Sequence, residues 1–254
     1  MPSPTLHLIP RAQVLSTILA SSDYGRIIKI FATKGKIEKT FLVHKGLISC
    51  ASSYFNAAFR AGRFKEGDEG VVRLEEGSPS VVEHFLNWLY SGSLMWYDIK
   101  SDEKMKRLVA HRVTYELYVF AGSRDILVLK NDTIDAVAEC IARTWNGIPA
   151  ASISLVYNNV PRGDPMTRLM VMYMMQCRSS IGPAGFHKDE ALDKYPHEFI
   201  LDYALALEAR RSPSQGKRLG WWEMNRCDFM ITGKRSARCR LRRRPAPASK
   251  VQQR

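Results

Sequence analysis

The chain has 254 residues, 45% of them apolar and 25% charged, so it can bury a core and is not a low-complexity or disordered polymer. Its net charge is +13, yet nine Lys or Arg and no Asp or Glu lie from residue 234 onward, leaving 29 basic against 25 acidic residues before that point. The excess charge therefore belongs to a tail. No apolar run approaches the ~20 residues that cross a bilayer, and the first residues lack the apolar core of a signal peptide, so an intracellular protein with no membrane partner is expected. Cys50, Cys140, Cys177, Cys227 and Cys239 are odd in number and hold no Cys-x-x-Cys, which argues against a zinc finger and against a disulfide framework.

In chain order, residues 1–22 carry Leu6, Leu8 and Ile9, then Val14, Leu15, Ile18 and Leu19 at helical spacing. Two readings fit: a short helix packed on its own domain, or a segment exchanged between subunits, with Val14, Leu15, Ile18 and Leu19 as the dimer interface. Residues 27–31 and 37–43 predict two strands, the second alternating at Phe41 and Val43, joined by a turn at Lys34-Gly35-Lys36. After His44-Lys45 come two apolar clusters, Leu47-Ile48 and Tyr54-Phe55-Ala58-Phe59, with Ser52 or Ser53 placed to cap the second as a helix and Gly62 to stop it.

Phe64-Lys65-Glu66 follows, beyond the helix carrying Phe55 and Phe59 and among solvent-seeking neighbours such as Arg63 and Asp68. A large apolar side chain in such company is either tucked back as a lid or offered to a partner. Residues 71–74 predict a third strand. Ser78-Pro79 then opens a helix whose Val82, Phe85, Leu86 and Leu89 share one face. The expected core is Ile28, Ile30, Phe41, Val43, Leu47, Phe55, Phe59, Leu74, Phe85 and Leu89.

Residues 115–121 predict a further helix, and the chain beyond residue 131 reads as all-helical. Ile134, Val137, Ala138 and Ile141 mark one amphipathic helix, and Ile153, Val156, Tyr157 and Val160 the next. Asp164-Pro165 caps a third, with Leu169, Met172, Tyr173 and Gln176 on one face; a fourth opens at Pro196 with Ile200, Tyr203, Ala204 and Leu207 inward. Met166, Met170, Met172, Met174 and Met175 fill an ordinary helix–helix seam in the favoured reading and line an adaptable groove in the other. Trp221-Trp222 is expected to dock the chain end on this helical layer. The tail, with Lys234, Arg235, Arg238, Arg240, Arg242, Arg243 and Arg244, cannot bury enough apolar surface to fold and is expected to be disordered. It suits a nuclear import signal, a contact with nucleic-acid phosphates, or solvation alone, and it tips the expected location towards the nucleus over the cytoplasm.

Catalytic chemistry finds no foothold. There is no glycine-rich phosphate loop, His-Glu-x-x-His or Gly-x-Ser-x-Gly, and the six histidines are scattered. No catalytic residue, no cofactor and no metal is therefore assigned. His44, at a strand-to-helix junction, reads as a packing residue with a local hydrogen bond. Cys177, His187 and His197 span a loop and a proline and do not suit a metal site.

The ordered set His44, Lys45, Leu47, Ser52, Phe55 and Phe59, then Phe64-Lys65-Glu66, then Val72, Leu74, Pro79, Phe85, Leu89, Tyr90 and Gly92 resembles the BTB/POZ domain, and the overall layout is similar to BTB proteins of filamentous fungi. Where many members place an acidic residue ahead of the first strand, this chain has Gly25-Arg26. The resemblance implies an α+β fold, a small mixed sheet covered by helices, at residues 23–130. Before it lies an N-terminal extension (1–22); after it come an all-helical extension (131–233) and the disordered basic tail (234–254). It also implies a non-enzymatic protein–protein interaction module that forms a homodimer. Many relatives present an unidentified substrate protein to the cullin scaffold of a RING ubiquitin ligase, through an apolar residue, any residue, then Glu, a pattern that Phe64 and Glu66 fit as partner-binding residues. The alternative is a nuclear, transcription-regulatory protein that contacts nucleic acid through its tail only.

Overall fold

A computed structural model of the protein describes residues 24–60, 64–75, 77–94, 104–144, 148–176 and 192–211. Two compact units divide after Val137, Met1–Val137 and Ala138–Arg254.

In the first unit, β1 (Ile27–Lys34) and β2 (Ile37–His44) form an antiparallel hairpin in the register Ile28 to Val43 and Ile30 to Phe41. The expected turn is there, with Gly35 at φ 62°, a left-handed conformation that glycine adopts without strain. β3 (Val71–Glu75) joins the other side of β1 in parallel, giving the order β2-β1-β3. The sheet is mixed and two-faced. Ile28, Ile30 and Ala32 of β1 and Val72 and Leu74 of β3 are buried, while their neighbours face outward.

Three short helices lie between β2 and β3: α1 (Lys45–Ala51), α2 (Ser53–Ala58) and α3 (Lys65–Glu69). Of the two candidate caps, Ser52 takes the role, its Oγ accepting from Phe55 N–H at 3.1 Å. The helix ends at Ala58, with Phe59 as its C-cap; Gly62 lies outside the described residues. α4 (Pro79–Ser91) begins with proline at its first position and stops at Gly92, φ 69°, and it packs on β1, β2 and α1.

The core forms around Phe85. Its ring stacks on Phe55 and Trp88 at centroid distances of 6.1 and 6.3 Å and meets Phe120 of α5 (Lys104–Ser123) at 5.3 Å. Nine of the ten residues expected in the interior are buried; Phe41, near the sheet edge, is partly buried and packs against the others. Trp88 Nε1–H donates to the Asp132 carboxylate at 2.9 Å, which ties α4 to α6 (Leu127–Thr144).

The second unit contains α7 (Ala150–Tyr157), α8 (Pro165–Gln176) and α9 (His197–Arg211), preceded by a 3-10 turn at Leu192–Lys194. Asp164 caps α8 by accepting from Met166 N–H at 2.9 Å. Met166, Met170 and Met174 are fully buried, the helix–helix seam that the sequence favoured. On α9 the inward face is turned from the expected one: Phe199 and Tyr203 are buried, while Ala204 is exposed. The reason is aromatic packing, since Tyr195, Phe199 and Tyr203 stack successively at 5.8 and 6.2 Å.

Candidate functional site

The segment from Phe64 to Gly70 carries one of the exposed large apolar side chains of the first unit, beside Ile27, Ile37 and Leu42 of the β1–β2 hairpin. Phe64 is 49% exposed and stands at the N-cap of α3 with extended backbone, φ −141° and ψ 151°. A phenyl ring cannot cap a helix, so the backbone closes the turn: the Phe64 carbonyl accepts from Gly67 N–H and the Glu66 carbonyl from Gly70 N–H, both at 3.0 Å. Glu66 and Asp68 lie in the first turn, where the amide ends favour negative charge. Glu66 is half-buried, and Lys65 between it and Phe64 is exposed.

Two glycines and an arginine hold this short helix in place. Gly67 is buried against the chain leaving α2; a Cβ there would sit 2.6 Å from the Arg60 carbonyl oxygen, so no other residue permits the approach. Gly70 turns left-handed at φ 68°, and its carbonyl accepts from Lys29 N–H at 2.9 Å, feeding the chain into β3. The Arg26 guanidinium donates to the Gly67 carbonyl, supplying positive charge at the C-terminal end of α3. Arg26, just ahead of β1, is thus a prop for the Phe64 turn. The sequence flagged its position but not its partner, because the contact joins residues 41 apart.

The turn between α5 and α6 is latched to the start of α2. Ser52 Oγ–H donates to the Arg124 carbonyl at 2.6 Å, and Ser53 Oγ–H to the Asp125 carboxylate. Asp125 has φ 51°, and the Arg124 guanidinium lies 4.8 Å over the Tyr54 ring. Neither Ser53 nor Asp125 carries a recognisable pattern, since their pairing spans 72 positions.

His44 performs the packing role expected of it. Tyr90 Oη accepts from His44 N–H at 3.1 Å and lies 2.9 Å from Nδ1. The phenol thus engages both the backbone and the ring of His44 and fixes the imidazole at the strand-to-helix junction. Tyr24 meets the imidazole edge-on at 5.4 Å. The expected dimer residues Val14, Leu15, Ile18 and Leu19 lie outside the described residues, as do Lys234, Arg235, Arg238, Arg240, Arg242, Arg243 and Arg244 of the tail. Among the described residues no group of three or more His, Cys, Asp or Glu could hold a metal ion, and no helix is long and apolar enough to cross a membrane.

Residues 30–118 match the family model of the BTB/POZ domain. Over 72 residues the chain is 35% identical to Kelch-like protein 40 of Mus musculus, a stretch that covers 28% of this chain and 11% of that protein. The matched stretch is therefore a small part of the relative's length.

Proposed function

Because residues 30–118 are a BTB/POZ domain, a protein-interaction module, we propose that this protein is a non-enzymatic adaptor that docks on a cullin scaffold through Phe64 and Glu66 and pairs with a second copy of itself. The observation that carries the reading is Phe64. A phenylalanine 49% exposed at the start of a five-residue helix, on a backbone held by Gly67, Gly70 and Arg26, is an apolar side chain within a partner's reach. Interface energy concentrates in such anchors, and an adjacent carboxylate fixes orientation. The short likeness to a Kelch-like protein supports an adaptor class, and the substrate protein is unspecified.

The test is affinity purification of the tagged protein from its own cells, scored for a cullin, beside the Phe64→Ala and Glu66→Ala variants. A cullin recovered with the parent and lost with both variants is the expected result. A parent that brings down none sinks the adaptor reading and leaves an interaction domain with another partner. A second reading, a nuclear protein held on nucleic acid, is supported by the nine Lys or Arg from residue 234 onward. It predicts binding that falls steeply with salt and disappears without that segment.

A further inference from the structure

α9 has one finished face and one unfinished face. Inward, Phe199 and Tyr203 are buried, with Tyr157 of α7 edge-on to Phe199 at 5.6 Å and its hydroxyl donating to Asp202 at 3.1 Å. On the opposite side Leu201 and Leu205 are 50% and 56% exposed. Ala204 is exposed beside them, and Glu198 and Glu208, also exposed, stand at either end. Leucines one turn apart on the same helix face form a continuous apolar strip with an acidic rim.

We propose that this strip is the docking face of the chain's own residues 221–231, which begin with Trp221-Trp222 and end with Phe229-Met230-Ile231. Reach allows it. From Arg211, where α9 ends, ten residues lead to Trp221 and span at most ~33 Å. Leu205 and Leu201 lie only ~9 and ~15 Å back along the helix at its rise per residue. Pro213, Gly216 and Gly220 supply turn-forming positions between the two stretches.

Composition allows it as well. Trp221, Trp222, Met224, Phe229, Met230 and Ile231 make this the most apolar stretch after α9, against a single leucine, Leu241, in residues 234–244. Connectivity sets the direction, since the chain leaves α9 at Arg211, beyond Glu208. A return antiparallel to α9 runs from the Glu208 end towards the Glu198 end. Within the segment Arg226 is balanced by Glu223 and Asp228, so the apolar side chains hold it, and only Lys234 and Arg235 beyond it bring net positive charge towards the Glu198 end. A second copy is a poor occupant, because two half-exposed leucines fall far short of the ~800 Å² per partner that a stable interface buries. The basic tail would then start three residues beyond a segment anchored on the second unit.

Amide hydrogen exchange on the full-length protein tests this. Residues 221–231 should exchange at least about tenfold more slowly than residues 236–248, at a rate independent of protein concentration, since a docked segment exchanges only when it opens. Leu201→Glu with Leu205→Glu should erase that protection while leaving exchange around Phe199 unchanged, and Trp221→Ala with Trp222→Ala should erase it from the other side. The proposal is overturned if residues 221–231 exchange as fast as the tail in the parent, if protection survives both variants, or if it grows with concentration, which would make a second copy the occupant.

Discussion

Phe64 and Phe55 are nine positions apart and should respond to truncation in opposite ways. Phe55 is fully buried and stacks on Phe59 and Phe85, so Phe55→Ala opens a cavity in the aromatic core and should cost about 3–5 kcal/mol, read from chemical denaturation. Phe64 stands half in solvent at the start of α3, so Phe64→Ala should shift the same transition by no more than about 1 kcal/mol while costing roughly 2 kcal/mol or more in cullin binding. A Phe64→Ala protein that unfolds as early as Phe55→Ala would make the ring a lid over the core. His84 of α4 titrates in the opposite sense to a paired histidine. Burial holds its pKa below the ordinary 6.5, and the carboxylate of Glu83 only partly offsets this. The unfolded chain then binds a proton more readily than the folded one. Stability is full above about pH 6.5 and falls as pH drops towards the folded-state value. His84→Gln should flatten that decline in thermal melts taken between neutral and mildly acidic pH.

At the scale of elements, the strands and α4 were legible because each carries its own periodicity. Alternation at Ile28-Ile30 and Val72-Leu74, the Lys34-Gly35-Lys36 turn and the Ser78-Pro79 start all depend on neighbours within a few positions. What escaped depends on distant partners. The turn at Phe64-Lys65-Glu66 is the first turn of a helix because Gly67 packs against Arg60 and Arg26 reaches the Gly67 carbonyl, and no local pattern encodes either contact. The face that the periodicity predicts for α9 lies a fraction of a turn from the buried one for a similar reason. Its mixed sequence fits several faces, and the stack of Tyr195, Phe199 and Tyr203 selects one. Ser52 bears on both kinds of contact, for it caps α2 locally and holds the Arg124 carbonyl 72 positions away. Ser52→Ala leaves two backbone groups without their partner and should cost about 1–3 kcal/mol, at the upper end of a cap alone, whereas Ser52→Thr should recover most of that loss. A loss as small as that of an exposed serine would show that solvent replaces the latch.

At the scale of the whole molecule, the proposed function depends on what the two ends add to the domain. The proposed pairing of two copies draws on Val14, Leu15, Ile18 and Leu19, whose spacing would put them on one face of a helix, in a segment too short to hold a helix alone in water. Such a segment gains stability only by packing, on its own domain or on a partner's, and symmetry makes the second arrangement reciprocal, each copy giving and receiving the same surface. Light scattering separates the two. If the segment is exchanged, the full chain should be a dimer, and replacing Leu15 and Ile18 by Glu should yield a folded monomer whose core melts nearly as before. If the segment packs on its own domain, the same variant should lower the melting temperature and leave the mass unchanged. A full-length protein that is monomeric at every accessible concentration would remove pairing from the proposed function and leave Phe64 and Glu66 to act as a single docking point.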